Sequence, residues 1–170
     1  ILEYAAPLKI ESWVERLKEW KETYPITMER YEGLTPEKII KYIAENYKRP
    51  IVATDVGQNQ LWTTQFLELE GNRQLLTSGG LGTMGYGFPA AIGAKPGNPD
   101  ADVFAISGDG GMQMNIQEFA TAVLEELPLI LCVFNNEYLG MVRQWQKLFY
   151  GKRYAMTNLK AGALSRRTDG

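Results

Sequence analysis

Large apolar side chains first recur at helical spacing near the start of the chain. Trp13, Leu17 and Trp20 share one face of a helix over residues 11–24, and the positions between them are mostly charged. Pro25 follows and ends the pattern, because proline cannot continue a helix. The sequence therefore predicts a surface helix that leads into the remainder of the chain.

Further along, helical patterns alternate with short apolar runs. Thr35 is placed to cap a helix whose first residue is Pro36. Strands are predicted in "PIVATDVG", "RQLLTS", "ADVFAISGD" and "LILCVF", with helices in "NQLWTTQFLEL", "MGYGFPAAIGAK" and residues 115–127. In the last of these helices Asn115 is the expected N-cap with Glu118 at N3, and the apolar residues fall at helical spacing. The run "LILCVF" is typical of a parallel strand that is covered on both faces.

Strands that alternate with crossover helices predict an α/β fold. Its doubly wound, mostly parallel sheet would carry helices on both faces and bind a ligand beyond the carboxyl ends of its strands. Asp55, Asp109 and the pair Asn135 and Asn136 fall at such ends. We divide the chain into a lead-in segment with the surface helix (1–34), a ligand-binding domain (35–159) and a mobile tail without periodicity (160–170).

The amino-acid composition excludes several kinds of partner and site. The 18 Lys and Arg residues are balanced by 20 Asp and Glu residues, and no apolar run approaches the roughly 20 residues of a membrane span, so neither nucleic acid nor a membrane is an expected partner. The chain has no histidine, which excludes imidazole catalysis and the usual zinc sites within it. Cys132 is the sole cysteine, which excludes an internal disulfide; we interpret it as a core residue in a protein of a reducing compartment.

The stretch "GGLGTMG" contains the pattern G-x-G-x-x-G at Gly80, Gly82 and Gly85. This pattern is typical of dinucleotide binding, and Asp109, 24 residues beyond Gly85, stands where a ribose-binding acid is needed. The same glycines could instead serve a tight turn and close helix packing. Glycines on both sides of Asp109 favour an approach of backbone N–H groups to an anion, for which a ribose-binding carboxylate has no need.

A second motif lies between "GDG" at 108–110 and "NN" at 135–136, which are separated by 24 residues with one predicted helix and one predicted strand. One crossover brings Asp109 and Asn136 to neighbouring strand ends. A carboxylate and an amide oxygen are hard ligands that Mg²⁺ accepts, and Mg²⁺ commonly completes its coordination with phosphate oxygens and water. The spacing therefore indicates a magnesium diphosphate site; the alternative is a glycine turn followed by a turn-forming asparagine pair.

This second motif resembles that of the thiamine diphosphate enzymes. The resemblance implies that Asp109 and Asn136 bind the metal and that the backbone carbonyl of Tyr138 is the third protein ligand. Two longer stretches, "SGGLGTMGYGFPAAIGA" and "NNEYLGMVRQWQKLFYGKRY", resemble the catalytic subunits of acetolactate synthase (acetohydroxyacid synthase), and the likeness extends over roughly residues 10–159. The chain is thus expected to be a fragment that carries the C-terminal thiamine diphosphate-binding domain, itself incomplete at its C-terminal side.

The likeness to acetolactate synthase implies further roles. Gly82 would offer its carbonyl to the aminopyrimidine, Met84 would bend the cofactor, and Trp145 would shape the acceptor-substrate pocket. The stretch "DVGQNQLW" resembles the loop that contacts the diphosphate, although the family usually has histidine where Asn59 stands. The implied cofactor contacts are Gly57, Gln58, Asn59, Gly82, Met84, Gly108, Asp109, Gly110, Gly111, Asn136 and Met141.

The resemblance also implies a reaction. Acetolactate synthase decarboxylates pyruvate and joins the remaining two-carbon unit to a second 2-keto acid, in branched-chain amino-acid biosynthesis. The glutamate that activates thiamine and the FAD site lie on other domains of that enzyme, so we expect this chain alone to be inactive and to bind no FAD. The whole enzyme is expected to be a homo-oligomer, with a regulatory subunit as a candidate partner, in the bacterial cytoplasm or the plastid stroma. The alternatives are a pyruvate oxidase or decarboxylase of the thiamine class and, from another class, a nicotinamide-binding domain.

Overall fold

The computed structural model describes residues 9–69 and 74–160. Residues 161–170 of the predicted tail lie outside the described residues. The chain divides into two compact units between Gly33 and Leu34. Within the described part of the chain, no helix has the length and apolar character needed to cross a membrane.

In residues 9–33, the described part of the first unit, there is one helix, α1, which spans Glu11–Thr23. None of its residues is buried, which confirms the predicted surface helix. The indole rings of Trp13 and Trp20 meet edge to face on it, with their centroids 5.7 Å apart. The helical spacing of these two residues therefore brings the rings together on the helix surface.

Among the described residues of the second unit, four parallel strands form a sheet. They are β1 (Ile51–Thr54), β2 (Leu75–Thr77), β3 (Val103–Gly108) and β4 (Leu129–Phe134), in the order β2-β1-β3-β4. The helices are α2 (Pro36–Asn46), α3 (Gln58–Phe66), α4 (Gly87–Gly97), α5 (Asp109–Met114), α6 (Phe119–Leu124) and α7 (Gly140–Phe149). The chain passes from β1 to β2 and then returns to the other side of β1 with β3, so the strand order reverses between β1 and β3. The predicted α/β fold with a parallel sheet is confirmed.

Helices cover both faces of the sheet because the residues of each strand point alternately to opposite sides. On one face, Ile51, Ala53, Val103 and Ala105 pack with Phe88, Ala91, Met112 and Ala122 of the helices. On the other face, the ring of Phe104 meets that of Tyr47, directly after α2, edge to face at 4.8 Å. Thr35 caps α2 as predicted, because its hydroxyl oxygen accepts a hydrogen bond from the backbone N–H of Lys38 at 3.3 Å.

The helix predicted at residues 115–127 is shorter and less regular than expected. After α5 ends at Met114, the structure has a 3-10 turn at Ile116–Glu118 and the short α6. Asn115 makes no side-chain cap; its amide nitrogen donates instead to the carbonyl oxygen of Gly85 at 2.7 Å. Val123 and Leu124, on the predicted apolar face, are 73% and 80% exposed. Asn115 stands at the N-cap position as predicted, but the contact with the distant loop of Gly85 turns its side chain away from the helix N-terminus.

β4 is an edge strand of the described sheet, which contradicts the expectation that both of its faces are covered. None of its residues is fully buried, and Val133 is 41% exposed. The edge position follows from the strand order, in which β4 pairs with β3 alone among the described strands. A continuous apolar run predicts that a strand is buried, but it does not show which elements cover the strand.

Cys132 lies half-buried in β4, and burial raises the pKa of its thiol above the ordinary value of 9.0. Since the thiolate is the nucleophile, we expect iodoacetamide at pH 8 to alkylate the folded protein at least about 10-fold more slowly than the urea-denatured chain. The folded state holds this proton more tightly, so the free energy of unfolding should decline as the pH rises above 9.0. Mass spectrometry follows both alkylation rates, with Cys132→Ser as the unreactive control. Equal rates in the folded and denatured states would contradict the interpretation of Cys132 as a core residue.

Candidate functional site

The carboxyl ends of β1, β3 and β4 lie at one edge of the sheet. β3 and β4 pair with Gly108 opposite Phe134, so Asp109 and the loop that contains Asn136 leave the sheet side by side. β1 pairs with the other side of β3, and the loop after β1 begins at Asp55. The prediction that Asp109 and Asn136 follow neighbouring strands is confirmed. The reversal of strand order between β1 and β3 is the position at which doubly wound sheets bind their ligands.

A cleft of about 100 Å³ lies at this edge. The predicted site residues that line it are Gly57, Gln58, Asn59, Met84, Gly108, Asp109, Gly110, Gly111, Asn136, Tyr138 and Met141. Gly82 lies outside this lining, on an exposed turn, and its carbonyl contact with the cofactor stays a prediction. Trp62, Leu139 and Val142 also line the cleft and were not identified from the sequence.

The carboxylate of Asp109 is half-buried in this cleft. Within residues 9–69 and 74–160, no donor forms a hydrogen bond or an ion pair with it. A partly enclosed carboxylate without such a partner is suited to a bound cation. The same part of the chain has no group of three or more His, Cys, Asp and Glu side chains that could hold a metal ion. The predicted ligand set differs from such a group, since it combines one carboxylate with an amide oxygen and a backbone carbonyl.

Asn136 and Tyr138 belong to one tight loop. The side-chain oxygen of Asn136 accepts a hydrogen bond from the backbone N–H of Tyr138 at 2.9 Å, which leaves that oxygen a second lone pair for a ligand. The side-chain nitrogen of Asn136 donates to Oε1 of Gln58 at 3.2 Å, so two of the loops that line the cleft are joined. Glu137 has a left-handed φ of 60°, a conformation that a non-glycine residue keeps only when its surroundings hold it. Together with Asp109, this loop has the hard oxygen donors that fit Mg²⁺.

Asp55 has the opposite environment from Asp109, although both residues directly follow a strand. It is 1% exposed, and its oxygens accept hydrogen bonds from three backbone N–H groups. Oδ1 accepts from Val56 at 2.8 Å and from Gly85 at 3.1 Å, and Oδ2 accepts from Gly87 at 2.9 Å. Asp55 thereby ties the glycine-rich stretch to the end of β1. The amides of Gly85 and Gly87 are occupied, which weighs against a pyrophosphate site on that stretch.

Close packing explains the glycine at position 111. A Cβ there would collide with the carboxylate of Asp55 and lie 3.0 Å from Oγ of Ser107. Asn59 is buried nearby, and its side-chain nitrogen donates to the carbonyl oxygens of Asp55 at 2.8 Å and Ile106 at 3.4 Å. These bonds turn the donor group of Asn59 toward the sheet. The phosphate contacts implied for Gly111 and Asn59 stay predictions.

The sequence analysis missed α7, which carries two of the predicted site residues. Met141 and Val142 line the cleft and also a second, more open pocket, which Trp145 lines as well. The apolar spacing of Val142, Trp145 and Phe149 could have identified this helix. The rings of Trp145 and Phe149 meet edge to face along it, with centroids 5.4 Å apart. The pocket of Trp145 therefore adjoins the candidate cofactor cleft, and its role in binding a substrate stays a prediction.

The chain is similar to known proteins of one enzyme family. The chain matches the family described as "Thiamine pyrophosphate enzyme, C-terminal TPP binding domain" over residues 55–165. It is 44% identical over 153 residues to the acetolactate synthase large subunit of Cyanidium caldarium, covering 89% of this chain and 26% of the relative. The acetolactate synthase large subunit of Corynebacterium glutamicum is 46% identical over 154 residues, covering 89% of this chain and 25% of the relative.

A probable acetolactate synthase large subunit of Methanocaldococcus jannaschii is 45% identical over 157 residues, covering 88% of this chain and 27% of the relative. The chain thus spans about a quarter of the length of the curated relatives it matches. The region that matches the family contains every residue that lines the candidate cofactor cleft. On this evidence, the chain belongs to the family of C-terminal TPP-binding domains of thiamine pyrophosphate enzymes.

Proposed function

We propose that this chain binds the diphosphate of thiamine diphosphate through Mg²⁺, as part of an acetolactate synthase. The observation that carries the proposal is the unpartnered carboxylate of Asp109, which lines one cleft together with Asn136 and Tyr138. Mg²⁺ binds oxygen ligands and commonly adds phosphate oxygens to them, so this donor set suits a bound metal diphosphate. The relatives named acetolactate synthase large subunit support the choice of enzyme within the thiamine class.

Different loops of the cleft bind the metal ion and the phosphate groups. Asp109, the side-chain oxygen of Asn136 and the backbone carbonyl of Tyr138 bind the metal ion. Gln58 and the backbone of residues 108–111 lie along the same cleft and contact the phosphate oxygens. The contact of Asn59 is assigned to its backbone N–H, because its side-chain nitrogen is bonded to the sheet. This arrangement would anchor the charged end of the cofactor.

The remaining predicted residues act on the ring system and the substrate. Met84, in the lining of the cleft, supports the cofactor from below, and the carbonyl of Gly82 accepts a hydrogen bond from its aminopyrimidine. Trp145 contacts the acceptor 2-keto acid in the adjoining pocket. When bound, thiamine diphosphate supplies the electron sink for decarboxylation of a 2-keto acid. The residues of this chain bind and orient the cofactor for that step.

The whole enzyme in this proposal decarboxylates pyruvate and condenses the product with a second 2-keto acid. Its activating glutamate and its FAD site lie outside this chain, so the 170-residue chain alone is expected to show no turnover. The relatives are named large subunits, and we extend the proposal to a homo-oligomer with a regulatory subunit. We further assign the protein to the cytoplasm of a bacterium or the stroma of a plastid.

Isothermal titration calorimetry of the protein at its natural full length tests the cofactor assignment. We expect thiamine diphosphate to bind in the presence of Mg²⁺ and at least about 100-fold more weakly with EDTA, since a diphosphate held through a metal loses its anchor when the metal is removed. NADH tests the nicotinamide alternative and is expected to produce no binding heat. Binding of NADH without binding of thiamine diphosphate would overturn the proposal.

Product analysis with pyruvate separates acetolactate synthase from the other thiamine enzymes. We expect acetolactate, because the stretch "GMVRQWQ" at 140–146 resembles acetolactate synthase and is not expected in a pyruvate oxidase or decarboxylase. Acetaldehyde or acetyl phosphate as the main product would keep the cofactor assignment and replace the enzyme.

A further inference from the structure

Arg143 carries a positive charge that the proposed cofactor site does not use. Its guanidinium carbon lies 4.3 Å from the ring centroid of Tyr138 and 3.9 Å from that of Tyr154. The side chain is half-buried, and no acidic residue in the described part of the chain forms an ion pair with it. Arginine stacks on aromatic faces through its planar cation, so both rings are held against α7.

Tyr138 joins these stacked side chains to the candidate metal site. Its backbone carbonyl is the third predicted metal ligand, and its N–H donates to the side-chain oxygen of Asn136 at 2.9 Å. The preceding residue, Glu137, has a left-handed φ of 60°, so the loop would relax if its neighbours released it. A contact that fixes the ring of Tyr138 therefore restrains the peptide group that presents the carbonyl.

Tyr154 joins the same side chains to a segment that braces the loop from the other side. Residues 157–159 pair with residues 137–139 through backbone hydrogen bonds of 2.8 and 2.9 Å. From α7, Gln146 donates to the carbonyl oxygen of Ala155 at 2.9 Å and so holds this segment as well. Arg143 lies where α7, the loop of Tyr138 and the segment 154–159 come together.

We propose that Arg143 is a positioning residue for the metal site, which holds the loop of residues 136–138 in its metal-binding geometry by stacking between Tyr138 and Tyr154. The inference rests on the proposed function. Arg143 is absent from the lining of the cleft, so it acts through Tyr138 without touching the metal or the phosphates. A competing explanation is general attraction between α7 and the anionic diphosphate. In that case Lys147, one turn along the same helix and in the same surface pocket, would contribute as much as Arg143.

Three substitutions in the protein at its natural full length separate these explanations. Arg143→Met removes the charge and keeps an unbranched apolar side chain. With thiamine diphosphate in excess, we expect it to bind Mg²⁺ about 3- to 10-fold more weakly, as the loss of two cation–π contacts predicts. Arg143→Lys keeps a cation at the rings and should recover part of this affinity. Lys147→Met, which makes the same charge change at an exposed position, should alter the affinity less than about 2-fold.

Two measurements decide the outcome: the Mg²⁺ affinity by calorimetry and the melting temperature without ligands. A lower melting temperature with unchanged Mg²⁺ affinity would show that Arg143 is merely structural and would overturn the inference. Equal losses of affinity in Arg143→Met and Lys147→Met would overturn it in favour of general attraction. If the unchanged protein does not bind Mg²⁺ and thiamine diphosphate, the proposed function itself fails. If the unchanged protein and Arg143→Met bind Mg²⁺ with the same affinity, the inference about Arg143 fails while the proposed function stands.

Discussion

The Asp109→Asn variant is expected to bind thiamine diphosphate with Mg²⁺ at least about 100-fold more weakly than the unchanged protein, a loss of about 2.7 kcal/mol. The substitution keeps the size of the side chain but removes the one full negative charge among the three predicted ligands, and a neutral amide holds a divalent cation less strongly. Without ligands, the free energy of unfolding should stay within about 0.5 kcal/mol, because no described donor pairs with this carboxylate. Calorimetry measures the affinity, and urea denaturation measures the stability.

Asp102 provides the matched control, because it directly precedes β3 as Asp109 directly follows it. Asp102 is exposed at the opposite end of that strand, so Asp102→Asn removes the same charge away from the cleft. We expect the affinity of this control to stay within about 2-fold of the unchanged protein. Full affinity in Asp109→Asn would refute the metal site. An equal loss in both variants would indicate a general effect of net charge.

The Asp55→Ala variant is expected to lose about 3–5 kcal/mol of unfolding free energy, with a melting temperature lower by roughly 10 °C. The change leaves the backbone N–H groups of Val56, Gly85 and Gly87 without their acceptor at a site where Asp55 is 1% exposed. Hydrogen bonds to an ionised acceptor are among the stronger ones in proteins, and here one carboxylate accepts all of them. Because the loss is a large fraction of the stability of a domain, cofactor binding should weaken as a secondary effect.

Asp55→Asn separates the charge and acceptor roles from simple packing. It has nearly the same shape, but its NH₂ group would face N–H donors, so we expect a loss of about 2–4 kcal/mol. Asp102→Ala is the control, with an expected change within about 0.5 kcal/mol at its exposed position. Urea denaturation followed by circular dichroism measures all three variants. A loss below about 1 kcal/mol in Asp55→Ala would mean that the glycine-rich stretch does not depend on this carboxylate.

The predictions from local pattern were mostly correct where one short segment is sufficient to determine the structure. All four strands were predicted, and so was the cap of α2 by Thr35, because alternation, apolar runs and capping residues act over a few positions. The spacing of Asp109 and Asn136 was also sufficient to predict neighbouring strand ends. The failures are the extent of the helix at 115–127, the burial of β4, and the unrecognised α5 and α7. The first two depend on contacts with distant parts of the chain, while α7 has a local pattern that the analysis did not use.

Asp55 and Asp109 mark the boundary between what local pattern predicts and what it cannot. Both are acidic residues directly after an apolar strand, and strand prediction alone places both at the ligand-binding edge of the sheet. In the folded chain, the amides of a loop 30 residues further on surround Asp55, while Asp109 has no described partner and lines the cleft. The order of the elements, the parallel α/β fold and the oxygen-rich edge follow from residues close together in sequence. Which carboxylate is structural and which is open to a metal was decided by tertiary contacts, because hydrogen-bond partners from separate segments come within reach only after the chain has folded.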